Sequence, residues 1–374
     1  MNENTHNSGF DPDNELISYI ELNGTNTNPD SILKDKNEST ARINSLIRDI
    51  RNTVRRVDPA ELLRWAFWRK VSHQKQASES QLGETPEYLL SMRMIDYIQS
   101  IIASTPMVPQ ITSFNYEEYE ELAQKVETLF WCIADYHMYQ QIPKRLVENK
   151  DTEALFNRYT QIQMDKYYIR GTRFRAHILQ FFKEFLPPHD NVFQEQYGID
   201  AQIIIKGLEN IQYSLTISIK ELKGDIDTLW GLYNNNEGIK NLAQIDFSIN
   251  DENNELRRSV EKRLNYFDLF DLKKLTDWPD DFLEDLSWSQ GENVDFFAGE
   301  QAGWPIREWP IFQRPFIKLD DNFYCFDLYC LFDNFYRVIQ RLILSKSPGY
   351  RSTWTQKQTE VSETVPFDLF KQIF

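Results

Sequence analysis

Apolar residues recur at three- and four-residue steps from Glu38 onward, which is the pattern of amphipathic helices. Ile43, Leu46, Ile47, Ile50, Val54 and Val57 fall on one helical face, with Ser39 or Thr40 as a candidate cap. Asp58-Pro59 opens the next helix, because Asp caps and Pro suits the first helical position, and Leu62, Leu63, Trp65, Ala66, Phe67 and Trp68 follow. Thr85-Pro86 repeats that signal ahead of Leu89, Leu90, Met94, Ile95, Ile98, Ile101 and Ile102, and the segment from Pro106 to Pro109 ends it. Asn115 begins another helix, acidic at its start through Glu117, Glu118, Glu120 and Glu121 as the helix dipole favours. Its buried face is predicted to be Leu122, Val126, Leu129, Phe130, Ile133 and Tyr136. A further helix is predicted from about Thr152 to Phe185, stopping at Pro187-Pro188, with Gly171 as a kink point.

The most sustained period runs through Ile204, Leu208, Ile211, Leu215, Ile219, Leu222, Ile226 and Leu229. It predicts a spine helix of about 35 residues, roughly 50 Å long, interrupted by Gly207 and Gly224 and serving an antiparallel bundle. Tyr233 to Asn254 holds the expected domain boundary, Glu255 to Leu275 a shorter helical region, and Asp277 to Glu300 an acidic loop. The pattern changes at Arg314-Pro315-Phe316-Ile317-Lys318-Leu319, an extended run, since Pro315 biases Arg314 away from the α region. Asp320-Asp321-Asn322 supplies turn chemistry and Phe323 to Phe326 a return strand, so a small hairpin is predicted. Asp327 then caps a helix carrying Leu328, Leu331, Phe332, Phe335, Val338, Ile339, Leu342 and Ile343. The expected fold is mainly α: an elongated multi-helix bundle with one long central helix and a small β-hairpin near the C-terminus. Its expected parts are a flexible tail over 1–37, a helical bundle over 38–233, shorter helices and acidic aromatic loops over 234–311, and hairpin plus helices over 312–374.

The order Arg314-Pro315-Phe316-Ile317, the turn at Asp320-Asp321, Phe323-Tyr324, an aromatic-rich helix, Tyr350, Glu363 and Leu369-Phe370 resembles a set of large uncharacterised bacterial proteins. In that set such a hairpin and helix precede a nuclease-like domain of the PD-(D/E)xK type. The resemblance covers about the last sixty residues. It implies that Tyr350 to Phe374 is the opening helix of that domain, with Glu363, or else Glu360, as its early carboxylate. The metal-binding Asp and the Glu-x-Lys would lie on strands beyond Phe374. The apolar cluster Phe367, Leu369, Phe370, Ile373 and Phe374 is accordingly expected either to fold back on the bundle or to belong to the front part of a longer protein.

Charge and composition narrow the function classes. Over 374 residues the formal charge is -16, which argues against general nucleic-acid affinity and leaves room only for a local basic face. Between Arg42 and Lys75 such a face exists: Arg48, Arg51 and Arg55 share one side of a helix and could follow a phosphate backbone or pair with the protein's own acids. Arg170 and Arg173 stand among aromatic residues, a spacing that suits either single-strand binding or a helix burying Tyr and Phe while its Arg stems reach outward. The run Asp277, Asp280, Asp281, Glu284, Asp285 lacks calcium-loop spacing and reads as a solvated or partner-docking loop around Trp278 and Trp288. Five scattered histidines, including His189, form neither a zinc pattern nor a triad, so no metal or cofactor is expected. Cys132, Cys325 and Cys330 fit a reducing cytoplasm, and the polar first thirty residues carry no signal or membrane pattern. The expected function is a non-catalytic helical scaffold whose partner is a protein. The alternatives are a metal-dependent nuclease completed elsewhere and a nucleic-acid-binding protein.

Overall fold

The computed structural model describes residues 29–79, 86–108, 115–148, 175–218, 224–225, 228 and 267–373. It is mainly α-helical with a small three-stranded sheet near the C-terminus. The chain divides into two compact units, and the division is not linear: Val294–Trp309 belongs with the N-terminal helices, and the sequence on either side of it belongs with the second unit.

The first unit contains α1 (Pro29–Val54), α2 (Pro59–Glu79), α3 (Pro86–Ala103) and α4 (Tyr116–Glu148). Helix α1 starts about ten residues before the predicted Ser39 or Thr40 cap, so both residues lie inside it and the expected tail is helical from Pro29. Pro29 followed by Asp30 is a helix-start signal of the same kind as Pro59 and Pro86, and the reading missed it because no apolar period accompanies it. Residues 1–28 lie outside the described set. The predicted cap at Asp58 is present, its Oδ1 accepting from the Glu61 N–H at 2.9 Å. Asn115 and Glu118 close a reciprocal pair, each side chain accepting from the other's backbone N–H at 2.9 Å. Helix α1 packs along α4 and α2 along α3. The faces read from the sequence are the buried ones, through Ile43, Ile47, Ile50 and Val54 on α1 and Leu122, Val126, Leu129, Phe130, Ile133 and Tyr136 on α4.

The segment Val294–Trp309 straps across these helices, where the sequence suggested acidic aromatic loops. The Trp304 indole N–H donates to Asn44 Oδ1 at 2.8 Å, and its ring meets Tyr136 edge-on. Trp309 stacks with Phe130 at an interplanar angle of 11°. The Tyr97 hydroxyl donates to the Gly303 carbonyl at 2.7 Å inside the core. Gly303 takes φ +73°, and a Cβ there would collide with the Phe297 ring, so glycine is required twice over. Arg307 folds the strap on itself by donating to the carbonyls of Asp295, Phe296 and Ala298.

The second unit begins, among described residues, with α5 (Arg175–Phe185), which ends ahead of Pro187-Pro188 as predicted. A 3-10 turn (Pro187–His189) leads into α6 (Asp190–Tyr197), closed by Gly198 at φ +67°. Asp200 caps α7 (Ala201–Tyr213), accepting from the Ile203 N–H at 2.9 Å. This is the described part of the predicted spine, and Ile204, Leu208 and Ile211 are buried on it. It does not continue as regular α-helix, because Ser214–Ser218 widens to a π-helical turn in which Ser214 Oγ donates to the Leu269 carbonyl. Most of the remaining spine, from Ile219 to Leu229, lies outside the described residues. Gly207 does not interrupt α7: it makes room for the Trp278 indole, whose N–H donates to the Ile203 carbonyl at 3.1 Å.

The acidic stretch is structured rather than a loop. It forms α8 (Asp280–Asp285) and β1 (Ser287–Ser289), and β1 pairs in parallel with β2 (Phe316–Leu319). A parallel partner separated by nearly thirty residues leaves no local hairpin signal, which is why the pairing was not legible. Strand β2 pairs antiparallel with β3 (Asn322–Tyr324), with Leu319 opposite Asn322. The loop is therefore two residues, Asp320-Asp321, tighter than the predicted turn, and Asp320 takes φ +53° as primed hairpin turns require at that place. Asp327 caps α9 (Leu328–Lys346), Oδ2 accepting from the Cys330 N–H at 2.9 Å, and the predicted apolar face is buried apart from Leu342, which is half-buried. A 3-10 turn (Pro348–Tyr350) leads into α10 (Arg351–Ile373), which runs on across Pro366. The side chains of the terminal apolar cluster lie outside the described set.

Candidate functional site

On α1 of the first unit, Arg48 is exposed. Arg51 is not available as a simple phosphate contact, since its guanidinium lies over the Phe297 ring of the strap at 4.1 Å. Burial, and then the like charge of Arg55, hold Arg51 below the ordinary arginine range. Arg55 is half-buried, its Nε enclosed without a hydrogen-bond partner. The predicted basic face thus splits, with Arg48 toward solvent and Arg51 spent on packing. Nearby, Arg69 pairs with Glu120 at 3.2 Å in a half-buried setting. Arg170 and Arg173 lie outside the described residues.

The acidic run of the second unit is tied down by lysines from separate elements. Lys206 of α7 reaches Asp277 at 3.0 Å, and Lys273 reaches Asp280 at 3.0 Å. Lys318 of β2 pairs with Glu284 and Lys346 of α9 with Asp285. Asp285 also accepts from the Tyr197 hydroxyl at 2.9 Å, and burial followed by this bond raises the Tyr197 phenol. Exposed pairs of this kind contribute about 0–1 kcal/mol each, so their effect is to neutralise the run rather than to clamp the fold. Trp278, expected at a docking loop, is buried, and Trp288 is half-buried under Arg314, with its N–H donating to the Pro310 carbonyl at 2.9 Å. Among the described residues no group of three or more His, Cys, Asp or Glu is placed to hold a metal ion. Glu363 and Glu360 stand exposed on α10, Glu360 accepting from Gln356 at 2.8 Å.

His189 is the histidine around which the second unit builds a closed aromatic setting. Its ring lies parallel on the Trp354 indole, 3.7 Å between centroids and 6° between planes, and its Nδ1 sits 3.3 Å from the Tyr350 hydroxyl. Burial, and then the charge of Lys357, lower its pKa to about 4. Lys357 is fixed by donating to the Pro188 carbonyl, next to the histidine. Tyr336, pushed up to about 12 mainly by burial, also meets the Trp354 ring, tilted at 51°. A neutral imidazole enclosed by aromatic rings and a cation is a packing element joining the 3-10 turn before α6 to α10. The sequence showed His189-Asp190 but could not show Trp354, 165 positions later, arriving beneath it.

Two open pockets lie on the described surface. One of about 270 Å³ in the first unit has Arg56 and Lys125 facing Glu118 and Glu121, so its charges cancel. The other, about 320 Å³, is at the junction of α9 and α10 and carries Arg341 and Arg351, which the sequence reading had passed over. No helix of the described residues is long and apolar enough to cross a membrane. No protein-family model, no curated protein and no solved structure matches this chain.

Proposed function

We propose that the chain is a non-catalytic helical scaffold that works by binding a protein partner, and that it is related to the front part of a nuclease-like bacterial protein. The observation that carries this reading is how the second unit uses its chemistry-bearing residues. Asp277, Asp280, Glu284 and Asp285 are each engaged by a lysine from elsewhere in that unit, and His189 is held neutral between Trp354 and Lys357. Carboxylates neutralised by lysines, and an imidazole buried in its neutral form, are poorly placed to move protons or ligate metal during turnover.

The competing reading is a metal-dependent nuclease using Glu363. Incubating the purified chain with single- and double-stranded DNA in magnesium and in manganese tests for cleavage by the chain itself, whereas a nuclease completed elsewhere would cleave only once its missing strands are supplied. The scaffold reading expects no cleavage above a Glu363→Gln control. Metal-dependent cleavage that Glu363→Gln abolishes would overturn it.

A further inference from the structure

Strand β1 stands at one end of the three-stranded sheet. Its register against β2 sets Ser287 opposite Phe316 and Ser289 opposite Lys318, and the Phe316 N–H donates to the Leu286 carbonyl at 3.2 Å. Alternate residues of a parallel strand turn their backbone groups toward the neighbour. Leu286 and Trp288 therefore face β2, and the N–H and C=O groups of Ser287 and Ser289 point away from it. At the opposite end of the sheet the chain covers itself, since the Cys325 N–H after β3 donates to the Phe270 carbonyl at 3.0 Å and Asp271 bridges Tyr324. Among the described residues no strand lies beyond β1.

Side chains take the hydrogen bonds that a further strand would make. Arg314 Nη1 donates to the Ser287 carbonyl at 3.0 Å, and the Ser289 N–H donates to Glu292 Oε2 at 2.8 Å. The two side chains also join each other, Arg314 Nη1 to Glu292 Oε1 at 2.9 Å. A guanidinium thus stands in for a neighbouring strand's N–H and a carboxylate for its C=O. Both halves of this clasp are positioned by their surroundings. Gly291, at φ +75°, turns the chain so that the Glu292 N–H donates back to the Ser289 carbonyl at 3.1 Å. Arg314 lies 4.1 Å over the Trp288 ring, whose N–H is held by the Pro310 carbonyl. The Arg314 and Glu292 side chains are 34% and 39% exposed, so the edge they cover lies near the surface of the unit.

We propose that Arg314 and Glu292 close the outer edge of β1 against strand addition, and that the strand they exclude is β1 of a second copy of this chain. An uncovered strand edge is a template for pairing with another chain, and this edge is complementary to itself. When two copies of β1 lie antiparallel with Trp288 opposite Trp288, each Ser289 N–H meets the Ser287 carbonyl of the other copy. Those are the two groups that Glu292 and Arg314 occupy. The contact is two-fold symmetric, so each bond is made twice. It also sets two indoles across from each other, and aromatic cross-strand pairs stabilise a sheet.

The test is sedimentation velocity of the full chain over a concentration series, with circular dichroism to show that each variant keeps its helices. Glu292→Ala frees the Ser289 N–H and should give a concentration-dependent rise in mass beyond that of the wild type. Glu292→Gln, whose amide oxygen still accepts from that N–H, should behave as the wild type. Adding Ser289→Pro to Glu292→Ala removes the N–H itself, at a position where the N–H faces away from β2 and an edge strand tolerates proline. This double variant should return to the wild-type mass. Arg314→Ala opens the other half of the clasp, and is read by the same rise in mass and the same reversal by Ser289→Pro if Glu292→Ala fails to fold. A folded clasp variant with the wild-type mass, or association that Ser289→Pro leaves unchanged, would sink the proposal. Neither outcome bears on DNA cleavage, so the scaffold reading stands or falls separately.

Discussion

Stability of the second unit should fall on mild acidification for a reason that can be traced to His189. Its pKa is lowered from 6.5 to about 4 in the folded chain, first by burial against Trp354 and then by Lys357. Between those values the unfolded chain binds more protons than the folded one, so stability rises with pH there. The contribution is fully present above about pH 6.5 and is lost as the pH falls toward about 4. A displacement of that size corresponds to about 3 kcal/mol at about 1.4 kcal/mol per pH unit. Lys357 is only half-buried, so solvent screens part of its effect, and we take about 1–2 kcal/mol as the expected loss.

Carboxylates titrate over the same range, so the comparison is with His189→Phe, which keeps an aromatic ring on Trp354 and removes the proton site. Urea denaturation at about pH 7 and about pH 4.5 should show the wild type losing about 1–2 kcal/mol more than the variant. Histidine ring resonances followed by NMR should show the His189 ring titrating at about 4. Replacing Lys357 with Met should move that midpoint upward. If His189 titrates at or above 6.5, or if wild type and His189→Phe lose stability equally, the reasoning about the stacked neutral imidazole is wrong.

Two further substitutions test the packing of each unit. Gly207→Ala should destabilise the second unit although alanine is the better helix former by about 1 kcal/mol, because its Cβ would enter the Trp278 indole; thermal unfolding that shows a gain would refute that packing. Tyr97→Phe should cost the first unit about 1–3 kcal/mol in chemical denaturation, since it leaves the Gly303 carbonyl buried without its hydroxyl donor. An unchanged midpoint would mean that water replaces the bond.

Local signals were legible wherever the physics is local. The Asp58, Asn115 and Asp327 caps are single residues accepting from an N–H three positions on, and all three are where the spacing put them. The buried faces of α1, α4 and α9 follow from helical period alone, because an amphipathic helix has one way to hide its apolar stripe. The hairpin was legible for the same reason, as its strands and turn are consecutive. What failed was a reading that equated acidity and prolines with loop. Asp277 to Glu300 contains α8 and β1, and its charge is balanced by lysines as distant in sequence as Lys206 and Lys346.

The candidate sites divide along the same line. Arg48, Arg51 and Arg55 share a face by helical geometry, yet only the strap's arrival at Phe297 decides that Arg51 stacks and Arg48 stays exposed. Arg341 and Arg351 belong to different helices, and the turn at Pro348–Tyr350 is what brings them to one pocket. By itself the sequence determined the helical class, the caps, the hairpin and which side of each helix is apolar, because those depend on neighbours within about one or two turns. Tertiary structure alone decided that Val294–Trp309 closes the N-terminal helices, that Gly207 seats Trp278, and that His189 lies on Trp354. Those contacts join residues tens to hundreds of positions apart, and burial energy, which is non-directional, leaves no periodic mark in the sequence to say which aromatic ring will meet which partner.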